Sequence, residues 1–378
     1  MRVVLYAHSL ISDWNHGNAH FLRGVLRELQ ARGHETLALE PEDGWSRRNL
    51  LASHGPGALA RFHKCFPELP VKTYGPAFDH EAAVNDAELV LVHEWTDPAL
   101  IARLGRIRRN GGRFTLLFHD THHRAVSDEA AMADMALQDY DAVLAFGEVL
   151  RQRYLQLGWG RQVFTWHEAA DTTLFRPQAP VSTSAIADLV WIGNWGDGER
   201  EHELREYLIE PARHQRLSGT VRGVRYPQTA LAALRRTSLR YGGWIANAEV
   251  PALFAEHRMT IHVPRRPYVT ALPGIPTIRV FEALACGIPL VCAPWHDEER
   301  LFGPDDFLRA ENGRQMSTQL QQLQHDRGFA EALAERGLET IHRRHTCAHR
   351  VDELFAILAA LGRSAEHNAA STLQEAPA

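Results

Sequence analysis

The stretch VVLYAHSLISDWNHGNAHFLRGVLRELQARGHETLAL, Val3–Leu39, decides the fold class. Val3–Ala7 is a short apolar run, and Thr36–Leu39 is a second. Between them Phe21, Leu22, Val25, Leu26 and Leu29 recur at a helical period, which predicts an amphipathic helix over Ala19–Ala31. Strand, helix and strand at this spacing form a parallel crossover unit, whose strands are apolar because both of their faces are covered.

The alternation continues. Leu89–His93, Phe114–His119, Ala142–Phe146 and Val163–Trp166 read as further strands. The segment FRPQAPVSTS, Phe175–Ser184, then breaks the pattern with two prolines and small polar residues. The pattern restarts with strands at Leu189–Ile192, Gly219–Arg225, Met259–Val263 and Pro289–Cys292, and a helical tract runs from about Gln315 to Leu361. A chain of 378 residues exceeds the usual size of one core. The expected architecture is α/β, with two doubly wound Rossmann-like domains facing a central cleft. The first spans 1–175, a linker 176–185, and the second 186–345. A helix at 346–362 packs back toward the first domain, and the tail, 363–378, lacks an apolar period and is expected to be disordered. Ligands of open parallel sheets bind beyond the carboxyl ends of the strands, so the cleft is the expected site.

Composition narrows the function. Hydrophobic residues make up 45% and charged residues 23%, as in a soluble globular protein, and the net charge of −5 argues against a nucleic-acid partner. The four cysteines, Cys65, Cys286, Cys292 and Cys347, have no metal-ligand spacing and read as reduced thiols of a cytoplasmic protein. The first residues are too polar after Ser9 for a signal peptide, and no apolar run reaches a membrane span. Oligomeric state is not legible.

Four segments carry candidate chemistry. In SDWNHGNAHF, Ser12–Phe21, Gly17 permits close backbone approach, Asn18 is placed to cap the following helix, and His16 and His20 offer acid, base or hydroxyl contacts. A plain polar loop with a cap is the alternative. In LLFHDTHHR, Leu116–Arg124, His119 and Asp120 end a buried strand, and His93-Glu94 end another. The His-Asp-x-x-His cluster suggests a metal, but no cysteine or further carboxylate supports one, so contacts to substrate hydroxyls are favoured and no metal is assigned. In WIGNWGDGERE, Trp191–Glu201, the glycines and the turn Gly193-Asn194-Trp195 expose amides before a helix. The fourth, HVPRRPYVTALPGIPTIRVFEALACG, brings Arg265, Arg266 and Tyr268 to a helix expected to start at about Pro276. Arginines beside a helix N-terminus, here Thr277 and Ile278, suit a diphosphate. Arg279 and Glu282 lie three apart on one face, either as a solvated ion pair or as placed ligand groups.

These residues resemble a known family. Phe281–Val291, as F-E-A-x-A-C-G-x-P-L-V, resembles the donor signature of two-domain GT-B glycosyltransferases, and DTTLFRP, Asp171–Pro177, resembles the D-x-x-x-F-x-P that closes their first domain. With IGNWGDGER, FGEVLRQRY (Phe146–Tyr154) and HTCAHRVDELFAI (His345–Ile357), the pattern looks closest to CgeB-type, spore-maturation-protein-like glycosyltransferases. The resemblance implies sugar transfer from a nucleoside diphosphate sugar to an acceptor hydroxyl, metal-independent and retaining, without a cofactor. It places Glu282 on the donor ribose, Trp244 and Ile245 at the nucleobase, and His119 near the donor sugar. His16, Gly17, Asn18, His93 and Glu94 are then acceptor contacts, and His119, Asp120 and His20 the catalytic candidates, with His20 or His119 the base if the enzyme inverts. The pattern departs at Gly274, where many relatives carry a first glutamate. A nucleotide-sugar epimerase of the same fold and a degenerate nucleotide-sugar-binding protein are the alternatives.

Overall fold

The computed structural model describes residues 1–179, 186–196 and 198–374, with side chains described to Gly362. The first sheet is built from β1 (Arg2–Tyr6), β2 (Glu35–Pro41), β3 (Val71–Tyr74), β4 (Leu89–His93), β5 (Thr115–Asp120), β6 (Ala142–Ala145) and β7 (Val163–Thr165), in the order β3-β2-β1-β4-β5-β6-β7. The second contains β8 (Ala187–Ile192), β9 (Gly219–Arg222), β10 (Leu239–Tyr241), β11 (His257–His262), β12 (Leu290–Cys292) and β13 (Leu308–Arg309), in the order β10-β9-β8-β11-β12-β13. Their pairings are parallel. This is the expected two-domain, doubly wound α/β architecture.

Alternation along β1 explains why its apolar run is continuous. Val3 and Leu5 pack into one cluster with Phe21, Leu22, Val25 and Leu26 of α1 (Ala19–Ala31), while Val4 and Tyr6 pack into the cluster on the opposite face. Three strands were not expected from sequence: β3, β10 and β13. Each is an edge strand of four residues or fewer, and none presents a fully buried row. A strand paired on one side and half exposed leaves no apolar run to read.

The cleft helix α2 spans Ile278–Ala285, two residues later than the expected start at Pro276; Thr277, in extended conformation, is its N-cap. The C-terminal helical tract is three helices: α3 (Gly313–His325), α4 (Arg327–Arg344) and α5 (Cys347–Gln374). Helix α5 lies against the first domain. Cys347, Val351 and Leu354 share a cluster with α1, and Trp166 Nε1 donates to the Arg350 carbonyl at 2.8 Å. A Cβ on Gly24 would stand 2.5 Å from Cys347 Sγ, so this contact depends on glycine. Residues 180–185 of the expected linker lie outside the described residues. The backbone of the expected tail is helical to Gln374, and 375–378 lie outside the described residues. Among the described residues no helix is long and apolar enough to cross a membrane.

Strand order reverses between β1 and β4 in the first sheet and between β8 and β11 in the second. Loops leaving adjacent strands at such a point diverge to opposite faces and open a crevice. The two crevices face each other.

Candidate active site

A cleft of about 1150 Å³ lies between the domains. Its first-domain wall is the loop after β1. That loop is pinned from below: Arg23 of α1 donates from Nε to the Leu10 carbonyl at 2.8 Å and from Nη1 to Asp13 Oδ2 at 3.0 Å, and Glu40 Oε2 accepts the Ile11 amide at 2.9 Å. The pinned loop presents His8, Asp13, His16, Gly17 and Asn18 to the cleft, beside His93 from the end of β4. The rings of His8 and His16 are 3.9 Å apart, and each stands 5.8 Å from His93. Burial drives the imidazoles of His8 and His93 down to about 3, and that of His16 well below its ordinary value. These rings are therefore neutral at physiological pH and serve as hydrogen-bonding groups. Both ring nitrogens of His16 and one oxygen each of Asp13 and Glu168 are buried without a partner. These atoms line the cleft with hydrogen-bonding capacity that a polar ligand could use.

Asn18 was expected to cap α1. Its side chain makes no cap bond; it donates instead to Thr121 Oγ1 and lies 3.4 Å from His93 Nε2. The Thr121 hydroxyl in turn donates to Glu94 Oε1 at 3.2 Å. Glu94, fully buried, is pushed up to about 8 by desolvation and holds its proton at neutral pH. Asn18 therefore holds the N-cap position of α1 through its carbonyl, which accepts from the Leu22 amide, while its side chain turns to Thr121 and His93.

The second-domain wall is cationic. Asn194 ends the turn after β8, and Arg200 donates to its carbonyl at 2.9 Å and to its Oδ1 at 2.7 Å. Arg265 reaches the same Oδ1 at 3.1 Å and pairs with Glu199. Burial and the neighbouring Arg265 lower Arg200 to about 9, still charged at neutral pH. Arg279, Thr277 and Ile278 bring the N-terminus of α2 to the cleft, with Gly193, Trp244 and Ile245 beside them. His262, at the end of β11, holds Thr277 Oγ1 at 3.0 Å. Gly17 is needed for the approach of the two walls: a Cβ there would stand 3.1 Å from Ile278 Cγ2.

Glu282 is not on a solvated face, nor does it line the cleft. It is fully buried, with Oε1 2.8 Å from His20 Nδ1 and Oε2 held by Arg279. His20 Nε2 accepts the Asp171 amide at 2.8 Å, so its proton sits on Nδ1 and is donated to Glu282. The ring stacks on Phe175 at 3.9 Å. The D-x-x-x-F-x-P segment is thus the socket for a histidine that ties α1 to α2 across the domains. With both nitrogens engaged and no cleft surface, His20 is not placed as a base in this structure. His119 and Asp120 also lie behind the cleft: His119 sits against Trp166 and Phe21, and Asp120, raised to about 7 by burial, accepts from Tyr154 at 2.8 Å. Glu94 is likewise one layer back. Trp195 is core, 1% exposed, and Arg266 faces outward to pair with Glu203 at 3.0 Å. Trp195 lies beyond the end of β8 and folds into the second domain's core beside Tyr226, and Arg266 opens a short helix, Arg266–Thr270, from which it turns outward to Glu203.

The structure also adds groups that the sequence did not single out: His8, Asp13, Glu168 and His262. All but Asp13 come within a few residues of a strand end, which is the signal that could have found them; Asp13 lies inside the first quoted loop. Glu168 is 4% exposed, and burial raises its carboxyl well above the usual range, with Glu282 and Glu94 adding to the rise. Gly274 adopts φ +90°, a region that side chains disfavour, and a Cβ there would stand 3.3 Å from Glu299 Cγ. Among the described residues no group of three or more His, Cys, Asp or Glu is placed to hold a metal ion.

Comparison with known proteins agrees with the two-domain fold. An alpha-glucosyltransferase solved with UDP and a 13-mer DNA containing a HMU base is 13% identical with a TM-score of 0.70, over 95% of this chain and 99% of that one. HepE from Anabaena, in complex with UDP and glucose, is 14% identical with a TM-score of 0.65, over 95% and 100%. T4 phage BGT, with its UDP-glucose substrate, is 12% identical with a TM-score of 0.60, over 96% and 99%. The chain has the GT-B glycosyltransferase fold. Residues 200–356 match the profile of a family described as glycosyl transferase-like, a span containing α2 and the cationic wall. No curated protein sequence matches. In the GT-B frame the second domain is the one carrying the recognised pattern, and the first-domain wall faces it across the cleft.

Proposed function

We propose that the protein transfers a sugar from a nucleoside diphosphate sugar, bound on the second-domain wall, to an acceptor hydroxyl bound on the first. The observation that supports this most is the convergence of Arg200, Arg265, Arg279 and the N-terminus of α2 on one wall of the cleft. A departing diphosphate develops negative charge, and fixed guanidinium groups and helix amides stabilise it as it forms. Trp244 and Ile245, which also line the cleft, would pack on the base. Glu282 is a positioning residue: it holds Arg279 toward the diphosphate rather than meeting the ribose itself. The narrower CgeB-type affiliation rests on the motifs around Phe281 and His345.

We assign retention. The cleft imidazoles of His8 and His93, held near 3 by burial, are too weak to take a proton from an alcohol at neutral pH. The acceptor oxygen then attacks C1 on the leaving-group face; the C1–O(phosphate) bond breaks, the C1–O(acceptor) bond forms, and the acceptor proton passes to the leaving phosphate. No metal enters this scheme, because the arginines supply the positive charge. Inversion would need a protein base, and Asp13, with Oδ1 unpartnered, is the residue that favours that reading. The anomeric configuration of the product, read by NMR, separates the two. The transferase reading is tested by thermal stabilisation with UDP, GDP, dTDP and ADP. One of them raises Tm in a concentration-dependent way, and no shift with any would overturn the reading.

A further inference from the structure

The two walls of the cleft differ in charge as well as in origin. The arginines that line it, Arg200, Arg225, Arg265 and Arg279, all come from the second domain. Among the described residues, the carboxylic acids that line it, Asp13, Glu42, Asp43, Asp97 and Glu168, come from the first. Among the described residues the first-domain lining carries histidines but no lysine or arginine, and those histidines do not offset the acids. Burial lowers His8 and His93 to about 3 and His16, His80 and His122 below their ordinary value, so none is cationic at neutral pH. Arg23 underlies this wall but is spent on Asp13 and the Leu10 carbonyl. Arg124, near its rim, lies over the Trp95 ring at 4.6 Å and donates to the Glu94 carbonyl.

Two further features of the wall point to a ligand. His16 is 6% exposed, faces the cleft and leaves both ring nitrogens without a partner, and Asp13 Oδ1 is equally unpartnered. At the rim, Trp45 and Trp95 are 46% and 44% exposed, among the largest apolar exposures of the described residues. The exposed face of an indole, for Trp95 the one Arg124 does not cover, takes either the C–H face of a pyranose or a nucleobase. Charge decides between them. A nucleic acid or phosphorylated acceptor would bring anions against Glu42, Asp43 and Asp97, whereas proteins that hold phosphates present basic groups. Carboxylates accept from sugar hydroxyls, and neutral imidazoles both accept from and donate to them.

Resting on the transferase reading, we propose that the acceptor is a carbohydrate without phosphate or other anionic groups, stacked on Trp45 and Trp95 and hydrogen-bonded by His16 and Asp13. The acidic wall is then a specificity device that rejects anionic acceptors by like-charge repulsion while the opposite wall attracts the donor's diphosphate.

The test supplies UDP-glucose, UDP-galactose and GDP-mannose separately, with methyl glucoside, cellobiose, glucosamine, glucose 6-phosphate or a short single-stranded DNA as acceptor, and follows product by mass spectrometry. Wild type glycosylates at least one uncharged or amino saccharide at least about tenfold faster than glucose 6-phosphate, and leaves DNA unmodified. The Asp43→Lys, Asp97→Lys double variant narrows that ratio to about threefold or less, and Trp45→Ala raises the saccharide KM. Circular dichroism confirms that each variant folds. Glycosylation of DNA or glucose 6-phosphate by wild type as fast as of the uncharged sugars overturns the proposal. So does donor hydrolysis without transfer to any saccharide. If no nucleotide sugar is bound or consumed, the transferase reading itself falls, and the acceptor proposal with it.

Discussion

Replacing Glu282 by alanine probes the tie between α1 and α2. The carboxylate is fully buried and accepts from His20 Nδ1 at 2.8 Å and from Arg279. Its removal leaves one buried imidazole N–H and one guanidinium without an acceptor. Breaking a buried, hydrogen-bonded charge pair from one side costs about 3–5 kcal/mol. Arg279 lines the cleft and can be rehydrated there, which places this case near 3 kcal/mol. With a urea dependence of about 3 kcal/mol per molar, the unfolding midpoint falls by about 1 M. Tryptophan fluorescence reads the transition, since Trp166, Trp191 and Trp195 are buried in the two domains. Glu282→Gln retains an oxygen for His20 and loses less. A midpoint within about 0.3 M of wild type for the alanine variant, roughly 1 kcal/mol, would refute the buried tie. Unchanged stability with lost UDP affinity would instead put Glu282 on the ribose.

Stability depends on pH in both directions. His8, His93, His262 and His345 are depressed to about 3, so the unfolded chain, near 6.5, binds their protons first and stability is lost as pH falls below about 6.5. Asp120 and Glu94 are raised to about 7 and 8, so their contribution is complete at low pH and is lost as pH rises toward those values. Thermal unfolding across pH 5–9 therefore peaks between about 6 and 7, and a plateau from 5 to 9 would count against these burials. Arg265→Ala and Arg279→Ala each weaken UDP binding about 10- to 100-fold by calorimetry, as loss of a charge-assisted contact requires, while Arg266→Ala, outside the cleft, leaves it within about twofold. Gly274→Glu does not restore a donor contact. With φ +90° and Glu299 3.3 Å away, it costs at least about 1–2 kcal/mol in chemical denaturation, and a stable, more active variant would contradict this.

The fold was legible wherever a strand was buried on both faces. The run of β1 and the period of α1 fix the crossover unit, and α1 has the expected boundaries. β3, β10 and β13 were not legible, because an edge strand is half solvated and short. The site divides the same way. The turn Gly193-Asn194, Arg265, Arg279 and the loop from His16 to Asn18 reach the cleft because strand ends and a helix start place them there. His119 and Asp120 are the last two residues of β5 and pack against Trp166 and Tyr154 in the sheet's two faces rather than beyond its end, and Glu94 is covered by Thr121. Glu282 and His20 are 262 residues apart in the chain, and nothing local marks them as partners. The missing carboxylate at Gly274 reads differently once its backbone is seen, because the left-handed conformation selects glycine there.

The central claim is transfer of a sugar away from its nucleotide in this cleft, and the most direct measurement follows the anomeric carbon itself. Incubated with the nucleotide sugar labelled with ¹³C at C1 whose nucleotide stabilises the protein, and with an uncharged saccharide, the enzyme should move the labelled carbon from phosphate to an acceptor oxygen with its configuration retained, releasing the nucleoside diphosphate in equal amount. A labelled sugar that stays on its nucleotide would contradict the account, whether it is epimerised there or simply bound unchanged.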